Sequence, residues 1–135
     1  MKPIEVQENH VYELLNWIEE NLCTPLSLDK ISERSGYSKW HLQRIFKQHT
    51  NISIVSYIRA RRLSLAAISL RYTQKKILNI SLEYNFETQQ TFSRCFKKHF
   101  GQTASAYRNS TNQTFTNLQV SLALNRVRNV AIDYE

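Results

Sequence analysis

The chain is poor in the residues that make tight turns. Among 135 residues there are only two glycines and two prolines. An all-β fold needs many turns built from both, so that class is excluded. Cysteine is equally scarce. Cys23 and Cys95 stand far apart, with no CxxC pair and no Cys/His cluster at zinc-ligand spacing. No metal and no cofactor are therefore expected, and the two thiols read as reduced side chains of a cytosolic protein. No long apolar run exists, and the N-terminal stretch MKPIEVQENH lacks the apolar centre of a signal peptide. Export and membrane insertion are accordingly not expected.

Acid is missing from one long stretch. Between Glu33 and Glu83 there is no Asp or Glu, yet there are ten Lys or Arg. Residues 34–108 carry fourteen bases against two acids, a local net of +12. Residues 1–33 are acidic, with seven acids and two bases, and the last 27 residues balance. The overall net charge is +7. A concentrated basic block suits a polyanion, most often nucleic acid. The blander reading is a solvated basic surface.

What is present is a globular, helical composition. Hydrophobic residues make up 41%, charged residues 21% and aromatics 11%. Val11, Leu14, Leu15, Ile18 and Leu22 recur at three- and four-residue steps, which predicts a first helix from about Asn9 to Leu22. The Thr24-Pro25 step ends it. Ser27 caps a short helix to about Ser35, and Gly36 turns the chain. Ser38 caps a third helix to about His49. Ser53 caps a long fourth helix to about Tyr72. A fifth helix spans about Ile77 to Tyr84, with Asn85 in place of a turn glycine. Thr88 caps a sixth to about His99, and Gly101 closes it. A last short helix is expected over Ser105–Arg108. Beyond Asn109 the sequence is loop-like, although Leu118, Val120, Leu122 and Leu124 alternate as in a strand.

The chain also repeats itself. Ile31, Ser32, Gly36 and Tyr37 match Ile80, Ser81, Asn85 and Phe86 at an offset of 49. Arg44, Phe46, Lys47 and His49 match Arg94, Phe96, Lys97 and His99 at an offset of 50. The one-residue change falls in the turn, where insertions are cheapest. Each repeat is a short helix, a tight turn and a longer helix, which is the helix-turn-helix pattern. In the third helix Leu42, Ile45, Phe46 and His49 form one stripe, and Trp40, Gln43, Arg44 and Lys47 the opposite one. In the sixth, Phe92, Cys95, Phe96 and His99 face inward, and Gln90, Ser93, Arg94 and Lys97 outward.

The outward residues are of the types that read bases. Arg pairs with guanine, Gln with adenine, and a flat apolar ring packs on thymine methyls. A solvated helix face is the alternative, but an outward Trp beside Arg, with Arg repeated 50 residues later, argues against it. The fourth helix would be ~28 Å long at ~1.5 Å per residue. Successive major-groove faces lie ~34 Å apart, so one rod could serve two recognition helices without a dimer.

The segments SERSGYSKWHLQRIFK (32–47) and FETQQTFSRCFKKHFG (86–101) resemble the AraC/XylS family of bacterial regulators, and within it the stand-alone MarA/SoxS/Rob subgroup. The resemblance covers about residues 9–108. It implies an all-α fold of seven helices: two helix-turn-helix subdomains joined by a long central helix. The DNA-binding domain would span 1–108, with helix-turn-helix units at about 28–49 and 77–99, a linker helix at about 53–72, and a tail from 109 to 135. It implies base contacts from Trp40, Gln43 and Arg44, then from Gln89, Gln90 and Arg94. Thr91 and Ser93 would lie near phosphate or base edges, and Lys39, Lys47 and Lys97 would anchor the backbone. The partners implied are double-stranded promoter DNA, bound by a monomer at an asymmetric site, and bacterial RNA polymerase. The implied setting is the bacterial cytoplasm, at genes for antibiotic or stress resistance. The family pattern has Gly where this chain has Asn85, Ala where it has Ser81, and Pro where it has Ala104, which leaves the angle of the second unit open.

The remaining features are weighed against these. The 27 residues after Arg108 are too few for an ordinary sensing domain, so no small-molecule effector is expected. Cys95 and His99 lie one turn apart like a nucleophile and its base, but both fall on the inward stripe, and no carboxylate accompanies them. No enzyme is expected. Trp17, Glu19 and Glu20 on the first helix form a candidate polymerase face or a solvated acidic one. The rival function is a nonspecific nucleic-acid packer driven by the basic block.

Overall fold

A computed structural model describes residues 4–110 and 117–123. The described residues form seven helices: α1 (Ile4–Glu20), α2 (Leu28–Ser35), α3 (Lys39–Thr50), α4 (Ile54–Tyr72), α5 (Ile77–Glu83), α6 (Gln89–Phe100) and α7 (Ala104–Asn109). The fold is all-α, as the resemblance implied. Helices α2, α3, α4 and α6 start directly after the caps read from the sequence. Ser27, Ser38, Ser53 and Thr88 each accept the backbone N–H three residues on, at 3.0–3.2 Å. Thr103 adds a fifth such cap, accepting from Ala106 at 3.1 Å and starting α7 one residue earlier than expected. Each bond satisfies one donor that a helix start leaves unpaired.

The first helix differs from expectation at both ends. It begins at Ile4 and stops at Glu20. The Asn21 N–H bonds Ile18 O at 3.0 Å, three residues back, and the Asn21 side chain bonds Trp17 O at 2.7 Å. This tightened turn closes the helix two residues early, and Leu22 is buried from outside it. The alternation at 118–122 does not make a strand among the described residues; Leu124 lies outside them.

Two compact units divide the described chain. The first contains residues 4–21, 25–58 and 120–123, the second 22–24, 59–110 and 117–119. In the first, α3 packs on α1 and α2. Its core includes Val11, Leu15, Ile18, Ile31, Leu42, Ile45, Phe46, Ile54 and Tyr57. In the second, α6 packs on α5 and α7. Its core joins Leu63, Ala67, Leu70, Ile80, Phe92, Phe96, Phe100 and Tyr107. Helix α4 serves both cores, which is why its apolar residues are spread around the axis.

The repeat runs further than the sequence motif. Ser53 and Tyr57 stand 50 residues before Thr103 and Tyr107, as caps and buried rings of α4 and α7. Phe46 meets Tyr57 with centroids 5.8 Å apart, and Phe96 meets Tyr107 at 5.4 Å. Arg108 then closes the C-terminal end of α4, donating to Leu70 O at 2.9 Å and Lys75 O at 2.6 Å. Arg62 does a similar service for residues 22–24, donating to Leu22 O at 2.9 Å and Thr24 O at 2.7 Å. Burial lowers the Arg62 pKa, an effect that Cys23 partly offsets.

The two tyrosines are equivalent in place but not in bonding. Tyr57 Oη accepts the Leu122 N–H at 3.1 Å, whereas Tyr107 Oη is buried without a hydrogen-bond partner. Tyr57→Phe is therefore expected to destabilise the fold by about 1 kcal/mol, while Tyr107→Phe should be neutral or mildly stabilising. Urea unfolding of both variants checks this, and the opposite order would contradict it.

Candidate nucleic-acid interface

Each unit presents one helix whose inner side is locked and whose outer side does no structural work. In α3, Leu42, Ile45 and Phe46 are at most 1% exposed. The opposite face carries Trp40, Gln43, Arg44 and Lys47, all exposed, with Trp40 at 71%. These four line an open hollow together with Gln48 and Asn51. Tryptophan is a residue type enriched at binding interfaces, where its large ring is covered. The Arg44 guanidinium lies over the Trp40 ring, 5.4 Å from its centroid. Cation–π contact of this kind holds the charge in place while leaving its hydrogen-bond donors outward.

In α6, Phe92, Phe96 and Phe100 face the core. Gln89, Gln90, Ser93, Arg94 and Lys97 are exposed on the other side. Thr91 is half-buried and is committed to the helix start. Its N–H bonds Thr88 Oγ1 at 3.0 Å, and its own hydroxyl oxygen accepts from Thr88 at 2.9 Å. Neither α3 nor α6 contains an acid, while they hold Lys39, Arg44, Lys47, Arg94, Lys97 and Lys98. The structure thus gathers the expected residues of each unit on one exposed helix face, except half-buried Thr91. Lys39 is the exception in character. It pairs with Asp29 in the first turn of α2, at 2.6 Å.

Gln48 and Asn51 escaped the sequence reading. Gln48 stands 50 residues before Lys98, so the repeat held the signal that both belong to the outward faces. Asn51 has a φ of 64° and ends α3, in the place where Gly101 ends α6 at 77°. Cys95 packs against the core, and half-buried His99 donates from Nε2 to Asn117 O at 2.8 Å. Both are used structurally. No group of three or more metal-ligating side chains occurs among the described residues, and no helix among them is long and apolar enough to cross a membrane.

Two helix–left-handed turn–helix units, each with an exposed, acid-free face on its second helix, define a helix-turn-helix DNA-binding protein. Comparison with known proteins makes the class specific. A family model described as a helix-turn-helix domain matches residues 31–110. The transcriptional regulator Rob of Salmonella typhimurium is 49% identical over 118 residues, 87% of this chain and 41% of that protein. The multiple antibiotic resistance protein MarA of Escherichia coli is 49% identical over 98 residues, 73% of this chain and 77% of that one. A crystal structure of an AraC-type transcriptional regulator from Chromobacterium violaceum superposes with a TM-score of 0.71 at 31% identity, covering 79% of this chain and 96% of that one. The chain belongs to the AraC-type helix-turn-helix family of DNA-binding transcription regulators, alongside MarA and Rob. It spans less than half the length of Rob.

The Asp29–Lys39 pair makes its own prediction. Both side chains are more than half exposed, so breaking the pair should hardly change stability. Freeing Lys39 should instead tighten binding to any duplex about two- to five-fold at low salt, with the gain shrinking as salt rises. Fluorescence anisotropy of Asp29→Asn on unrelated duplexes measures this, and unchanged affinity at low salt would remove Lys39 from the interface.

Proposed function

We propose that this protein is a sequence-specific transcriptional activator that binds an asymmetric site in double-stranded promoter DNA as a monomer. One helix of each unit, α3 and α6, enters the major groove. The observation that carries this reading is the duplicated outward face. An arginine stands at equivalent positions, Arg44 and Arg94, each flanked by polar or aromatic base-reading types and a lysine one turn on. Since the two faces differ in detail, with Trp40 and Gln43 against Gln90 and Ser93, they would read different sequences. A single chain with two unlike readers needs no palindrome and no partner subunit.

Trp40, Gln43, Arg44, Gln89, Gln90 and Arg94 are the base readers in this scheme. Thr91 and Ser93 sit at the edge of the groove, and Lys39, Lys47 and Lys97 meet phosphate. Phosphate contacts set position and base contacts set sequence. The protein acts in the bacterial cytoplasm. Recruitment of bacterial RNA polymerase completes this reading, with Trp17, Glu19 and Glu20 of α1 forming either a face for it or a solvated acidic surface. The resemblance to MarA supports a role at antibiotic or stress resistance genes.

A second reading has an observation in its favour. The net +12 over residues 34–108 would by itself bind any nucleic acid. The two are separated by single substitutions. Arg44→Ala and Arg94→Ala should each cost about 1–3 kcal/mol in specific binding, and each should relax preference in a different half of the site. Lys47→Ala should weaken all sequences alike and lower the salt slope by about one. Binding titrations against a panel of point-substituted duplexes provide the readout. Loss at the same base pairs for both Arg variants would contradict the two-unit layout, and no sequence preference in the parent would favour the packer.

A further inference from the structure

The paired motifs end near residue 101, and the sequence alone reads the residues after 108 as a tail. The described residues 117–119 are nevertheless built into the second unit. Asn117 accepts the His99 Nε2 proton through its backbone oxygen at 2.8 Å, at the last turn of α6. Leu118 packs against the core that holds Phe92 and Phe96. Both backbone groups of Gln119 are held by buried side chains of α4. Its N–H donates to Ser64 Oγ at 2.8 Å, and its carbonyl accepts from Arg61 Nη1 at 2.6 Å. Ser64 is 1% and Arg61 8% exposed. An arginine is rarely buried without a purpose-built acceptor.

The repeat supplies an internal control. His49 is the equivalent of His99, at the same place in α3, yet its Nε2 is buried with no hydrogen-bond partner. The bond at the end of α6 is therefore not a general property of the helix-turn-helix unit. It is added by the segment after the repeats. The apolar stripe of α6 is non-directional and lets the helix roll or slide by small amounts. A hydrogen bond at the helix end and a side chain wedged beneath it are directional and remove that freedom.

We propose that residues 117–119 form a strap that fixes the orientation of α6, so that His99, Asn117 and Leu118 are positioning residues for the half-site read by Arg94. They touch no DNA. The strap sharpens selectivity in one half of the site and leaves the half read by α3 alone. This rests on α6 being a base-reading helix, as proposed above.

Asn117 offers a clean handle because its φ of 59° is left-handed. Glycine adopts that conformation freely, whereas valine resists it. In the full chain, Asn117→Val should lower discrimination at the Arg94 half about tenfold and leave the Arg44 half within about twofold, while Asn117→Gly stays near the parent. Ser64→Ala, which keeps a good helix former in α4, should give a smaller loss confined to the same half. Faster amide exchange near the end of α6 in either variant is the second expected sign, and it reads the strap even if specific binding fails. Equal loss in both halves, or full discrimination in Asn117→Val and Ser64→Ala with unchanged exchange, would overturn the strap. Were Arg94→Ala itself without effect on sequence preference, the reading of α6 would fall instead, and the exchange data would still decide whether the strap exists.

Discussion

The outward faces of α3 and α6 can carry chemistry because both helices are held from their inward sides. Leu42, Ile45 and Phe46 hold one helix and Phe92, Phe96 and Phe100 the other. Each central phenylalanine is locked against a tyrosine that starts a later helix, Tyr57 or Tyr107. Fully burying side chains of this size contributes about 1.5–3 kcal/mol apiece. Nothing on the opposite side is needed for stability. Trp40, Gln43, Arg44, Gln90 and Arg94 are thus free to be chosen for what they bind.

A second constraint is conformational. Each helix-turn-helix unit has two left-handed residues, one in the turn and one after its second helix. The chain has only two glycines to supply four such positions. It uses Gly36 then Asn51 in the first unit, and Asn85 then Gly101 in the second. Asparagine tolerates positive φ better than other side-chain-bearing residues, so the mirrored exchange costs little. The Asn85 that departs from the family pattern keeps the turn geometry that a glycine would give.

Much of this was legible from residues alone because the contacts are local. Capping bonds span three residues, helix stripes span four, and a tandem repeat states the same local rules twice. That is why Ser27, Ser38, Ser53 and Thr88 marked helix starts, and why both outward stripes were visible in the residue pattern. The failures were long-range. The 118–122 segment is held by side chains of α4 that lie 55–65 residues earlier, not by a strand ladder. The Asp29–Lys39 pair depends on how α2 meets α3. The early end of α1 came from Asn21, whose amide competes for the last carbonyls of the helix. Gln89 and Thr91 were named only through the family resemblance, and the structure separates them: Gln89 is exposed, whereas Thr91 is tied into its own cap.

The central claim is that one chain carries two unlike base-reading helices. Selection of bound duplexes from a random pool by the purified protein, followed by sequencing, addresses it most directly. The account predicts a motif with two separate blocks of preference whose halves differ in sequence, bound by one protein per duplex. An enriched palindrome bound by two copies, or a pool that emerges without any motif, would contradict it.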